Sequence, residues 1–119
     1  MKQSPSVTYN GVDVCKDFLD AFSPNWAKPK RYGNSIAGIS KLLEALKDTS
    51  LPQLGIESTG GYERPLRIAA ADSQVTLSMV NPRQVRDFAK ASGKLAKTDA
   101  LDAKILAAFG EALAPKPSL

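Results

Sequence analysis

Four acidic residues stand where a small domain has little structural use for them, or at a spacing that gathers them. Asp13 lies inside Gly11-Val12-Asp13-Val14-Cys15, a strand-like run in which a carboxylate is out of place by propensity and costly to bury alone. Glu57 raises the same problem in Leu54-Gly55-Ile56-Glu57, at the C-terminal end of an apolar run, where open α/β sheets tend to place their ligands. Asp99 and Asp102 stand three apart at the start of an expected helix, which would set both side chains on one face about one turn apart. Each acid taken singly has an ordinary explanation. An arginine partner or an amide cap would serve the strand residues, and the helix macrodipole would serve the pair. Two carboxylates on neighbouring strands, however, repel one another unless a cation lies between them. The set of four is the oxygen-ligand supply that Mg2+ or Mn2+ takes. The chain has no histidine and a single cysteine, Cys15, so the common zinc ligand sets and an internal disulfide are excluded. Two hard cations roughly 4 Å apart activate a water or hydroxyl and stabilise the leaving oxygen of a phosphodiester, without a protein nucleophile.

The basic residues point toward the same kind of substrate. Sixteen Lys and Arg against twelve Asp and Glu give a net charge of +4, which by itself is a weak pointer to polyanions. Its distribution says more. Arg83, Arg86, Lys90, Lys94 and Lys97 share the stretch from Pro82 to Lys97 with one acid, Asp87. They lead directly into Asp99 and Asp102, so cations suited to a phosphate backbone would stand beside the acidic set. A solvated basic face is the plain alternative.

The elements that must position these residues follow from periodicity. Val7 to Val14 and Asp17 to Phe22 read as two adjacent strands, and Ala27 to Tyr32 as a third, which Pro29 would confine to an edge. Ile36, Ile39, Leu42, Leu43 and Leu46 recur at helical spacing behind a cap at Asn34 or Ser35, with Pro52 soon after the end. Gln53 to Ser58 reads as a buried strand, Tyr62 to Ala71 as a helix with Pro65 in its first turn, and Gln74 to Val80 as a strand. Asn81-Pro82 opens a helix with Val85, Phe88 and Ala89 inward and Gly93 at its end. A last helix is expected behind Thr98, with Leu101, Ile105, Ala108, Phe109 and Ala112 as its apolar stripe. Hairpin-connected strands followed by β-α-β crossovers predict an α/β protein with a mixed sheet covered by helices, a pattern that fits the ribonuclease H-like fold. Residues 1–112 would form one domain and 113–119 a linker or chain end. No apolar run suits a signal peptide or a membrane span, so a cytoplasmic location is expected.

Read in order, GVDVCK (11–16), ESTGGYE (57–63) and VNPRQVRDFAKASGKLAKTDALDAKILA (80–107) resemble the DEDD transposases and recombinases of bacterial insertion sequences, the group that includes the pilin-gene inverting recombinase. The resemblance covers nearly the whole chain, and its long third block is more specific than any single acid. It implies a Holliday-junction resolvase-like first domain in which Asp13, Glu57, Asp99 and Asp102 are the metal ligands for Mg2+ or Mn2+. It also implies metal-dependent cleavage and transfer of DNA strands, a turn shaped by Gly60, Gly61 and Tyr62, and a homo-oligomeric full-length protein. A second domain with a serine nucleophile and, in some members, a guide noncoding RNA belong to the same expectation. Cys15 departs from a common serine.

Other classes remain to be weighed. An actin-like ATPase would share the fold, but Asp13 is followed by Val14, Cys15 and Lys16 and not by a glycine-rich phosphate loop. A DEDD exonuclease would want an acid where Cys15 stands. A non-catalytic nucleic-acid-binding module, in which the carboxylates are structural, is the main alternative, and metal dependence separates the two.

Overall fold

The computed structural model describes residues 7–47, 49, 52–57, 61–93 and 102–114. Lys94, Lys97, Thr98, Asp99 and Leu101, and Ser58, Thr59 and Gly60 beside Glu57, lie outside the described residues.

Strands β1 (Thr8–Val14) and β2 (Phe18–Phe22) form the expected antiparallel hairpin. The Cys15 N–H donates to the Phe18 carbonyl at 2.9 Å and leaves Lys16 and Asp17 as a two-residue loop. The third strand is β3 (Lys30–Gly33), shorter and later than the expected Ala27 to Tyr32. Pro29, which has no N–H for a ladder, immediately precedes it, and β3 is an edge strand. In α1 (Ile36–Leu46), Ser35 is the cap, its Oγ accepting from the Gly38 N–H at 3.1 Å. Ile39, Leu42, Leu43 and Leu46 face inward, while Ile36 in the first turn stays exposed.

Strand β4 (Pro52–Glu57), helix α2 (Arg64–Asp72), strand β5 (Thr76–Val80) and helix α3 (Pro82–Ala91) follow in the expected order. Pro65 sits in the first turn of α2, where its missing N–H costs nothing. Asn81 caps α3, its side chain accepting from the Arg83 N–H at 2.8 Å.

Helix α4 (Ala103–Leu113) corrects two expectations. Its cap is Asp102, in extended backbone, with Oδ1 accepting from the Ile105 N–H at 2.9 Å. Thr98 does not cap this helix, and Asp102 precedes the first turn instead of lying within it. The inward face is also wider than the expected stripe. Ala103, Ile105, Leu106, Ala107, Phe109 and Gly110 are buried, Ala108 is partly buried and Ala112 is exposed. Helix α4 is covered on two sides, by the sheet and by α3, so more than one stripe has to be apolar or small.

The sheet order is β3-β2-β1-β4-β5, antiparallel from β3 through β1 and parallel from β1 through β5. This is the ribonuclease H-like arrangement. Alternation along the strands sends Val12, Val14, Leu19, Ala21, Leu54, Ile56 and Leu77 to one face, where they pack with Ile39, Leu42, Leu46, Leu66 and Ala70 of α1 and α2. On the other face Val80 joins Val85, Ala89, Ile105, Leu106 and Phe109. Phe88 of α3 meets Phe109 of α4 edge to face at 5.8 Å. Gly11 at the middle of β1 lets α4 lie directly on the sheet. A Cβ there would collide with the Ala103 carbonyl oxygen and come within 2.7 Å of the Ala107 nitrogen. At the other end of the contact Gly110 touches Tyr9. Helix α4 therefore runs back along β1, with its N-terminus over the end that carries Asp13. Among the described residues no helix is long and apolar enough to cross a membrane.

Candidate active site

Sheet register lines up the charged residues. Asp13 of β1 pairs with Asp20 of β2, and Asp20 pairs with Arg31 of β3. On the other side Val12 pairs with Ile56, so Asp13 and Glu57, one residue further on each, stand side by side at the C-terminal ends of two parallel strands. Directly paired residues point to the same face and their strands lie about 4.8 Å apart. The result is one row across four strands, Arg31, Asp20, Asp13 and Glu57, on the face that α4 covers. Asp13 and Glu57 are half-buried, and Asp102, at the N-terminus of α4, is exposed.

Compensation along the row is uneven. Arg31 grips Asp20 with both ends of its guanidinium, at 2.8 and 3.1 Å, and also lies over the Phe18 ring at 4.6 Å. Asp13, in the middle, has no ion pair among the described residues. Burial pushes its carboxyl above the ordinary range, and Asp20 and then Asp102 push it further. Glu57 is raised by burial and then by Asp13, while Arg86 pulls it down. Local desolvation, then Asp13 and Asp20, raise the Cys15 thiol against the pull of Arg31. These surroundings disfavour the Cys15 thiolate, the nucleophilic form of the side chain.

Three of the four expected acids, Asp13, Glu57 and Asp102, come to one end of one sheet face, and the fourth, Asp99, lies outside the described residues. Among the described residues no three acidic or cysteine side chains close to a metal-holding cluster. The donor set nevertheless suits a hard divalent cation, being oxygen only, mutually repelling and lacking a counter-charge at its centre. Of the basic residues, Arg83, Arg86 and Lys90 follow one another at spacings of three and four on α3, which places them on one side of the helix, away from buried Val85 and Ala89. Arg83 and Lys90 are exposed and Arg86 is half-buried, close enough to act on Glu57. Lys94 and Lys97 lie outside the described residues. Asp20 was not among the expected site residues. The two-residue hairpin loop is the signal that finds it, because that loop fixes Asp20 opposite Asp13.

Residues 11–117 match the DEDD transposase family of the IS110 type. The chain is 33% identical over 111 residues to the pilin gene-inverting proteins of Moraxella lacunata and Moraxella bovis, covering 88% of this chain and 34% of each relative. It therefore spans about a third of the length of these curated relatives. With the matched region running from the glycine beneath α4 to beyond the end of that helix, and so including every element that carries an acid of the row, the chain belongs to the DEDD transposase family.

Proposed function

We propose that residues 1–112 form the metal-binding catalytic domain of a transposase or site-specific recombinase that cleaves and transfers DNA strands. The observation that supports this most is the central position of Asp13. It stands between Asp20 and Glu57 with Asp102 nearby, raised by burial and then by Asp20 and Asp102, and without a described cationic partner. Asp13, Glu57 and Asp102, together with Asp99 as the resemblance implies, would hold Mg2+ or Mn2+. Bound there, divalent ions supply activation of the attacking oxygen and neutralisation of charge on the phosphodiester.

The chain's own residues set the conditions for that chemistry. The sheet carries Asp13 and Glu57 on adjacent strands, and Arg86 partly offsets the burial and the Asp13 charge that together raise the Glu57 carboxyl. Asp102 spends Oδ1 on the Ile105 N–H, which leaves Oδ2 for a ligand. Arg83, Arg86 and Lys90 are suited to phosphate contacts that hold a DNA strand in register beside the acids.

The test is the thermal midpoint of this chain with and without millimolar Mg2+ or Mn2+, beside an Asp13→Asn/Asp102→Asn variant. Asparagine at 102 keeps a capping oxygen while removing the charge. A metal-dependent rise in the wild type that disappears in the variant is expected, because a ligand bound only by the folded state stabilises it. No rise in either protein, with DNA binding intact in the absence of metal, would favour a non-catalytic binding module.

A further inference from the structure

Asn34, between the edge strand and α1, makes contacts that neither the cap of α1 nor the charged row requires. Its side-chain nitrogen donates to the Cys15 carbonyl at 2.9 Å and to the Tyr62 carbonyl at 3.1 Å. Carbonyl oxygens only accept, so both contacts require the amide nitrogen at this position and the orientation of the side chain is settled. Cys15 opens the loop that follows Asp13, and Tyr62 lies in the turn that leads into α2 on the chain beyond Glu57. Among the described residues no strand pairing joins the two, since the β1–β4 ladder ends at Val12 and Ile56. The Asn34 backbone N–H donates to the Asp17 carbonyl at 2.9 Å, which anchors the residue to the hairpin independently of its side chain. Its Oδ1 is shut off from solvent with no hydrogen-bond partner among the described residues. A buried unpaired acceptor is a standing cost, and keeping it is understandable where the two donors of the same amide are needed.

We infer that Asn34 is a positioning residue, a clamp that joins the loop after Asp13 to the turn at Tyr62 and so supports the separation of Asp13 and Glu57 beyond the end of the ladder that joins β1 to β4. The inference rests on the metal-site reading above only in what the clamp is for. The clamp itself is a statement about two loops. A divalent ion shared by two carboxylates tolerates little variation in their spacing, so loosening both loops would weaken shared binding without dismantling the sheet.

The test compares the wild-type chain with Asn34→Ala and Asn34→Asp. Aspartate matches the shape of asparagine and has no donor for either carbonyl when ionised, so it separates hydrogen bonding from space filling. It also covers the case in which the alanine variant fails to fold. Amide hydrogen exchange is expected to quicken roughly fivefold or more in both loops together, at Lys16 and Asp17 and at Tyr62 and Glu63, with the β1–β4 ladder unchanged. The second readout is paramagnetic broadening of the Asp13 and Glu57 carboxyl signals by Mn2+. In the wild type both should broaden at one Mn2+ concentration. In both variants the two signals should broaden separately, or together only at about tenfold more Mn2+. Wild-type exchange in both loops of Asn34→Asp would overturn the clamp, and unchanged joint broadening in the variants would overturn its role in spacing the acids. If Mn2+ broadened neither carboxyl in the wild type, the metal-site reading would fall, and the exchange result would still decide whether Asn34 ties the loops.

Discussion

Gly11→Ala should damage the site without touching any acid. Gly11 is the seat of α4 on β1, and an added Cβ collides with the Ala103 carbonyl oxygen, lies 2.7 Å from the Ala107 nitrogen and 2.8 Å from the Leu106 Cβ. All three are parts of the helix that cannot rotate aside, so α4 has to withdraw by roughly 1 Å to recover ordinary van der Waals separation. Overpacking of this kind costs about 1–3 kcal/mol. For a domain of this size that corresponds to a fall of roughly 4–12 °C in thermal midpoint. Asp102 caps the displaced helix and moves with it; on the proposed metal reading, a displacement of about 1 Å at a reacting centre can lower a rate on the order of a hundredfold. The matched control is Gly55→Ala on the neighbouring strand. Among the described residues a Cβ there meets only the Asn10 and Leu106 carbonyl oxygens, at 3.6 and 3.7 Å, which is ordinary contact. That variant should stay within about 0.5 kcal/mol of the wild type, or gain slightly because alanine narrows the unfolded ensemble. The assays are thermal unfolding of both variants and strand cleavage in a chain of the relatives' full length. If Gly11→Ala unfolded at the same temperature as Gly55→Ala, the close seat of α4 would be refuted.

Three further outcomes follow from the same geometry. Asp13 and Glu57 are raised above their ordinary values of 3.8 and 4.5. The protonated forms therefore favour folding, a contribution complete below those values and lost as pH rises through the raised ones. In EDTA, Asp13→Asn should accordingly be more stable than the wild type at neutral pH and lose the advantage below pH 3.8, as read from urea midpoints. At position 102, alanine should cost about 1 kcal/mol in the same assay by removing the cap of α4, whereas asparagine should cost little. Equal losses would mean that charge, not the bond to Ile105, sets the contribution. If α3 contacts a DNA backbone, Arg83→Gln should flatten the dependence of log affinity on log salt by about one unit. An unchanged slope would remove Arg83 from that interface.

Much of the fold is legible because its signals are local. The hairpin, the amphipathic α1 and the β-α-β succession each declare themselves within a dozen residues, and the strand acids Asp13 and Glu57 stand out against their own apolar runs. What was not legible depends on parts of the chain far apart in sequence. Asp102 looks like a first-turn helical residue until the extended backbone at that position shows it to be the cap. The inward face of α4 is wider than its apolar stripe suggests because its small residues make sense only against Gly11 and Tyr9, nearly the whole chain away. Asp20 was overlooked because an acid opposite an acid is recognised only through the hairpin register. Asn34 was weighed as a helix cap, a local role that Ser35 fills instead, leaving Asn34 to join two loops that are distant in sequence.

The contact between Gly11 and residues 103–107 also sets an order of events during folding. It joins the first strand to the last described helix, so it closes a loop of most of the chain at a correspondingly large closure entropy. As the chain leaves the ribosome, the Arg31-Asp20-Asp13-Glu57 row can assemble once β4 has paired with β1, well before α4 exists to roof it. Until then the glycine face of the central strand is open and Asp102 is absent. On the metal reading, a half-made chain thus has an incomplete ligand set until α4 docks and brings Asp102 beside Asp13.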